Sequence, residues 1–272
     1  MIVFPNCKIN LGLNILQKRA DGFHDLETVF YPVALQDALE IVQSPFPNID
    51  IEFTSSGLEI PSTTEQNICV KAYRLLKKDI PQLPPIKMHL HKVIPSGAGL
   101  GGGSSNGAFV LTSLNKKFSL GLTEDKLINY ALQLGSDCPF FIKNHPCFAT
   151  GRGEKLEEIG INLSHFKIVL VNPRIYVGTR QAFSEILPDN RRKRIKDIIK
   201  MPVDQWKNEL NNDFETTVFT QHPEIKQVKQ KMYQQGAVYA SMSGSGSTVY
   251  GLFNAHTQPQ FDFPAQYFIK TL

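Results

Sequence analysis

Five glycines fall within the seven residues Gly97 to Gly103, squeezed between an alternating stretch and a helically spaced one. Upstream, Ile86 to Ile94 alternates apolar and polar side chains, the period of a strand with one buried face. Downstream, Ser104 to Lys117 repeats at helical spacing. Glycine lets the backbone take positive φ and lets N–H groups approach a ligand with no Cβ in the way. The helix that follows adds unpaired N–H donors and the positive end of its dipole. A strand, a glycine turn and a helix start in this order make a phosphate cradle. Its candidate nucleotide-binding residues are Pro95, Ser96, Gly97, Ala98, Gly99, Leu100, Gly101, Gly102, Gly103, Ser104 and Ser105.

Other readings of the loop fit less well. Gly97-x-Gly99-x-x-Gly102 formally matches the dinucleotide fingerprint, with Glu124 or Asp125 at a suitable distance. That fingerprint belongs in the first turn of a parallel βαβ unit. Here the preceding alternation suits an antiparallel sheet, and the acids open a helix. A P-loop fails because no Gly-Lys-Ser/Thr follows, and a flexible linker fails because strand and helix patterns abut the loop directly.

The N-terminal stretch also alternates. Cys7, Ile9, Leu11, Leu13 and Ile15 are apolar, with Lys8, Asn10, Gly12 and Asn14 between them, so a strand presents a polar strip on one face. A turn at 20–22 leads to a second strand over 25–35, broken or at an edge where Pro32 falls. Short strands are expected at 39–43 and 49–53, a turn at 57–61, and an amphipathic helix over 67–78. Thr123 caps a helix to Leu134 with acids in its first turn. A hinge is expected at 150–153, a buried strand at 165–173, and a helix over 223–235 ended by Gly236. Two strands flank Ser243-Gly244-Ser245-Gly246-Ser247.

The chain of 272 residues suffices for one large or two modest domains. Its 29 basic and 25 acidic residues leave +4, which suits an anionic ligand but falls far short of a nucleic-acid-binding stripe. Cys7, Cys69, Cys138 and Cys147 are scattered without a CxxC pair, which argues against a structural zinc or a disulfide framework. With no signal-peptide pattern and no run of about 20 apolar residues, the expectation is a soluble cytoplasmic protein, engaging neither membrane nor nucleic acid. The basic run Arg191-Arg192-Lys193-Arg194 reads as a solvated face in preference to a binding patch.

The segment Pro95-Ser96-Gly97-Ala98-Gly99-Leu100-Gly101-Gly102-Gly103-Ser104-Ser105-Asn106 resembles the second signature motif of the GHMP kinase superfamily. Lys8 to Leu13 resembles the first motif, Asp21 to Leu26 a nucleotide-recognition turn, Gly135 to Phe141 the catalytic-aspartate segment, and Ser241 to Gly246 the third motif. The run of glycines before Ser104-Ser105-Asn106 resembles one branch in particular, whose acceptor is cytidine diphosphate methylerythritol of non-mevalonate isoprenoid synthesis. Gly107 stands where that branch usually has alanine.

The resemblance implies an α+β fold of two domains. Residues 1–155 form one like ribosomal protein S5 domain 2, and residues 156–272 a ferredoxin-like one. It implies ATP and Mg²⁺ as cofactors and phosphorylation of the acceptor's 2-hydroxyl by a monomer or weak homodimer. Asp137 is implied as the base and Lys8 as the cation that keeps it ionised. Phe23 and Phe183 are implied as stacking rings and His24 as the hydrogen-bonding partner of the pyrimidine. Thr179 joins Phe183 in closing that pocket, although Arg180 stands where proline is common. Asn10 orients the substrate, Asn67 lines the adenine side, and Ser105 touches the metal, whose other ligands stay open. A sister kinase for homoserine or phosphomevalonate is disfavoured by Phe23-His24 and the glycine run, and a non-catalytic nucleotide sensor by Lys8 and Asp137. Failure to bind NAD would dispose of a dinucleotide oxidoreductase.

Overall fold

The computed structural model describes residues 1–46, 48–178, 182, 183, 186 and 188–272. The chain opens with strands β1 (Ile2–Val3), β2 (Asn6–Lys18), β3 (His24–Gln36), β4 (Ala38–Gln43) and β5 (Ile51–Gly57). Next come α1 (Ile68–Asp79), β6 (Ile86–Lys92), α2 (Gly102–Lys117), α3 (Glu124–Leu134) and α4 (Cys138–Lys143). Strands β7 (Cys147–Gly151), β8 (Lys155–Glu158) and β9 (Phe166–Asn172) lead to the short helices α5 (Ile195–Ile198) and α6 (Trp206–Glu209). Helices α7 (Phe214–Gln221) and α8 (Pro223–Gln234) precede β10 (Tyr239–Met242), β11 (Val249–Asn254) and β12 (Phe268–Thr271).

Local chemistry sets many of these boundaries. Asn67 caps α1 by accepting the Cys69 N–H, and Thr123 caps α3 by accepting the Lys126 N–H. Pro223 opens α8, where its missing N–H costs nothing, and Gly236, at φ +90°, follows its end.

The chain divides into two compact units that interleave in sequence, where the sequence suggests a single boundary at 155. The first comprises 1–7, 34–96 and 101–145, the second 8–33, 97–100 and 146–272. In the first, a sheet of order β1-β4-β6-β5 packs Leu39, Ile41, Met88 and Leu90 against Tyr73 and Leu76 of α1, Leu111 of α2 and Ala131 of α3. Its β1–β4 and β4–β6 pairs are antiparallel, but β5 and β6 run parallel, joined by α1. The expectation of an antiparallel setting for β6 therefore holds on the β4 side and is corrected on the β5 side. Alternation reports that one face is buried and says nothing of a neighbour's direction.

The second unit contains two sheets, β2-β3-β7-β8 and β10-β11-β9-β12, the latter antiparallel throughout. Val218 of α7 with Ile225, Val228 and Met232 of α8 cover Val169, Val171, Ala240 and Val249, and Leu13, Ile15 and Leu26 join the same core. Full burial of each of these valines, leucines, isoleucines and the methionine is worth about 1.5–3 kcal/mol. The α+β expectation holds. The hinge expected at 150–153 is instead the turn of the β7–β8 hairpin, where Thr150 faces Lys155. Two glycines there serve a tight reversal, Gly151 at φ +71° and Gly153 at φ +104°. The four cysteines are buried and unbridged, and burial pushes the Cys69 and Cys138 thiols up to about 12. Among the described residues, no helix is long and apolar enough to cross a membrane.

Candidate active site

In the second unit the polar strip of β2 lies inside the protein: ten successive residues from Asn6 are buried. Lys8 is only 3% exposed. Its ammonium donates to Asn10 Oδ1 and to the Gly99 carbonyl (3.4 Å), and it lies 4.8 Å from the centre of the Phe30 ring. Asn10 is fixed in turn, its Nδ2 donating to Thr28 Oγ1 (3.0 Å), which donates to the Gly12 carbonyl (2.5 Å). A buried ammonium is tolerated only when such acceptors replace water.

Residues 97–100 of the glycine loop pack in the same unit. The Lys8 amide donates to the Leu100 carbonyl (3.0 Å), and the Thr248 amide to the Ala98 carbonyl (3.2 Å). Gly99 adopts φ +76°, and a Cβ there would stand 1.9 Å from the Ser243 carbonyl oxygen, so no other residue fits. Ser243 Oγ donates to the Gly99 carbonyl (2.8 Å) and accepts the Asn10 amide (3.2 Å). Tyr250 Oη donates to the Asn10 carbonyl (2.8 Å). Three motifs distant in sequence, around Lys8, Gly99 and Ser243, are thus knotted together.

The recognition turn presents two aromatic rings. Phe23 is 53% exposed, with the Arg152 guanidinium 4.9 Å from its ring centre. Half-buried His24 stacks on Phe183 at 4.7 Å and 17°. Phe183 meets the buried Phe214 edge-on at 4.8 Å and 90°. Burial, then the positive Lys18, lower the His24 imidazole from its ordinary value. It is therefore neutral near pH 7, with one nitrogen a donor and the other an acceptor. Thr179 and Arg180 lie outside the described residues.

The first unit holds the start of α2. Gly101, at φ +67°, precedes it, no side chain caps it, and Ser105 is the first residue whose amide bonds back, to the Gly101 carbonyl (2.9 Å). The amides of Gly102, Gly103 and Ser104 therefore lack intrahelical acceptors, and Gly103 is exposed. Ser105 is buried, and its hydroxyl has no hydrogen-bond partner among the described residues. Pro95 and Ser96 lead into the loop, Ser96 exposed. Asn67 is buried as the cap of α1, and Asp137 occupies the N-cap position of α4 without a side-chain capping bond. Lys8 and Asp137 belong to different units.

One cluster in this unit escaped the sequence reading. Asp37 Oδ1 accepts the Val93 (2.7 Å) and Ile94 (2.8 Å) amides, while Oδ2 accepts Asn106 Nδ2 (2.8 Å) and pairs with the buried Lys92 ammonium. It anchors the chain just ahead of the glycine loop and the first turn of α2 at once. A lone Asp after a strand carries no signal that it will be buried.

The basic run is largely occupied. Arg191 pairs with Asp189, Arg192 makes a two-pronged bond to Asp213 (2.5 and 2.6 Å), and Arg194 lies 3.5 Å from Glu27. Arg191 and Arg192 are both exposed, as expected of a solvated face, with the Arg192 guanidinium held by Asp213. No group of three His, Cys, Asp or Glu side chains able to hold a metal occurs among the described residues.

The chain is similar over most of its length to proteins of known class. Residues 67–145 match the GHMP kinases N terminal domain, and residues 190–261 match the GHMP kinases C terminal domain. The chain is 54% identical to 4-diphosphocytidyl-2-C-methyl-D-erythritol kinase of Bacteroides thetaiotaomicron, with 98% of each chain covered. It is 50% identical to the protein of the same name from Cytophaga hutchinsonii, over 96% of this chain and 94% of that one. A crystal structure of 4-(cytidine 5'-diphospho)-2C-methyl-D-erythritol kinase superposes with a TM-score of 0.79 at 30% identity, covering 93% of this chain and 90% of the other. The chain belongs to the GHMP kinases, in the branch of the 4-diphosphocytidyl-2-C-methyl-D-erythritol kinases.

Proposed function

We propose that this chain transfers the γ-phosphoryl of ATP to the 2-hydroxyl of 4-diphosphocytidyl-2-C-methyl-D-erythritol. The observation that carries the reading is the knot of Lys8, Asn10, Gly99 and Ser243, which sets a buried cation against the phosphate loop. The near-full-length likeness to kinases of that name supports the choice of acceptor.

Phosphoryl transfer asks the protein mainly for positioning and charge stabilisation. Asp137 is the proposed acceptor of the hydroxyl proton, and Lys8 the charge that steadies the alkoxide as it bonds to γ-phosphorus and the bond to ADP breaks. The unpaired amides opening α2 suit the ATP phosphates, and Asn67 is assigned to the adenine side. The orphaned Ser105 hydroxyl fits a Mg²⁺–nucleotide, to which it would add one oxygen. When bound, that metal neutralises charge on the β- and γ-phosphates.

Phe23, Phe183 and Thr179 are assigned to the pyrimidine slot and Asn10 to substrate orientation. The neutral His24 imidazole offers the donor and acceptor that a cytosine edge requires. The same reading makes the protein cytoplasmic, a monomer or weak homodimer, independent of membrane and nucleic acid.

ADP release with ATP, magnesium and the cytidine substrate, set beside mevalonate and homoserine, tests the assignment. Release with the cytidine substrate alone is expected. Asp137→Asn is expected to lower kcat by about 10² to 10⁴. Equal turnover of mevalonate would refute the acceptor, and full activity of the variant would remove Asp137 from the mechanism.

A further inference from the structure

The segment Asn211-Asn212-Asp213-Phe214-Glu215 belongs to none of the motifs that define the site, yet it reaches three parts of the second unit. Asn212 Nδ2 donates to the carbonyls of Met242 (2.7 Å) and Gly244 (2.8 Å), while its Oδ1 accepts the Phe214 amide (3.0 Å). Glu215 Oε1 accepts Ser241 Oγ (3.0 Å) and the Met242 amide (2.8 Å), and its Oε2 accepts Lys229 Nζ (2.6 Å). Two amides cement the segment to β2: Leu13 donates to the Asn211 carbonyl (2.8 Å), and Asp213 to the Leu13 carbonyl (2.9 Å).

These bonds have directional consequences. The Met242 and Gly244 carbonyls both point at one amide group, which fixes the peptide plane leading into Ser243 and the one leaving Gly244. Ser243 Oγ is thereby aimed at the Gly99 carbonyl and the Asn10 amide. Without Asn212 the Gly244 carbonyl loses this donor, and the Met242 carbonyl keeps, among the described residues, only the long contact from Ser241 Oγ (3.4 Å). Two residues along, Phe214 sits 2% exposed in the core and turns its ring perpendicular to Phe183, which lies flat on His24. An edge-to-face neighbour anchored in a helix fixes the tilt of a half-buried ring.

We propose that Asn212 and Phe214 are positioning residues for separate halves of the substrate site. Asn212 sets the serine turn, and through it Gly99 and the Lys8 strand, for phosphoryl transfer. Phe214 sets Phe183 for the pyrimidine. The second half rests on the reading of His24 and Phe183 as the base slot.

Two residues separated by one position must then give opposite kinetic signatures. Steady-state constants are measured for Asn212→Ala and Phe214→Leu with the cytidine substrate and ATP, together with Tm. Phe214→Leu is expected to raise KM for the cytidine substrate about tenfold with little change in kcat. Asn212→Ala is expected to lower kcat about 10- to 100-fold with that KM nearly unchanged. Asn212→Ser, which keeps one donor, should recover part of the loss and serves if the alanine variant does not fold. Losses shared alike between kcat and KM and tracking Tm would overturn the proposal, as would wild-type constants in both variants. Phe183→Leu is the control. If it leaves KM unchanged, the base slot itself is refuted; if it raises KM while Phe214→Leu does not, only the positioning role of Phe214 falls.

Discussion

His24 shows what a partly buried setting does to one side chain. Burial and the Lys18 charge hold its imidazole below the ordinary value, so the neutral, two-role form persists to lower pH than in a free histidine. KM for the cytidine substrate should therefore stay flat as pH falls through about 6.5, the ordinary imidazole value. It should rise only below that, as a second N–H replaces the acceptor. A rise centred on or above the ordinary value would contradict this role. Asp37 is the opposite case, a carboxylate enclosed by buried donors. Asp37→Ala strands the Lys92 ammonium and two amides. A loss of about 3–5 kcal/mol in urea unfolding is expected. Lys8 and Asn10 were visible in the sequence, because polar residues at alternate positions of an apolar strand demand a reason. Asp37, Thr28 and Asn212 were not, since their partners come from distant positions and no periodicity marks them.

At the scale of elements, the glycine loop was legible because glycine clusters are conformational statements in themselves. Its contacts were not, because sequence does not say which backbone passes within 2 Å of an absent Cβ. Gly99→Ala must overcome both positive φ and collision with the Ser243 carbonyl. It is expected to destabilise by at least about 2 kcal/mol and to raise KM for ATP, measured by urea unfolding and initial rates. A variant as stable and active as wild type would show that the loop is free to move off the serine turn. The helix capped by Thr123 was readable from its cap, and the one that Asn67 caps from its amphipathic spacing. The parallel β5–β6 pair was hidden because α1 fits a crossover or a return equally well. The β7–β8 hairpin was mistaken for a hinge because the same two glycines serve either.

For the whole molecule, length left one large or two modest domains open, and neither length nor pattern revealed how the compact units interleave. Chain order does not reveal that 8–33 pack with 146–272. A fragment of residues 156–272 lacks Leu13, Ile15 and Leu26 from its core, and the β2 carbonyl and amide that bond the 211–213 segment. It is expected to show collapsed amide dispersion in NMR spectra, and a native-like spectrum would mean that β2 is dispensable to that core. The same threading bears on inheritance. A gene exchange between two diverged relatives, with one breakpoint anywhere from 34 to 145, would take strands 8–33 from one parent and 146–272 from the other. Leu13 and Leu26 would then meet a core shaped by a different lineage. Recombinants of this gene should survive most often when both breakpoints bracket 34–96, exchanging a piece that leaves the second core with a single ancestry.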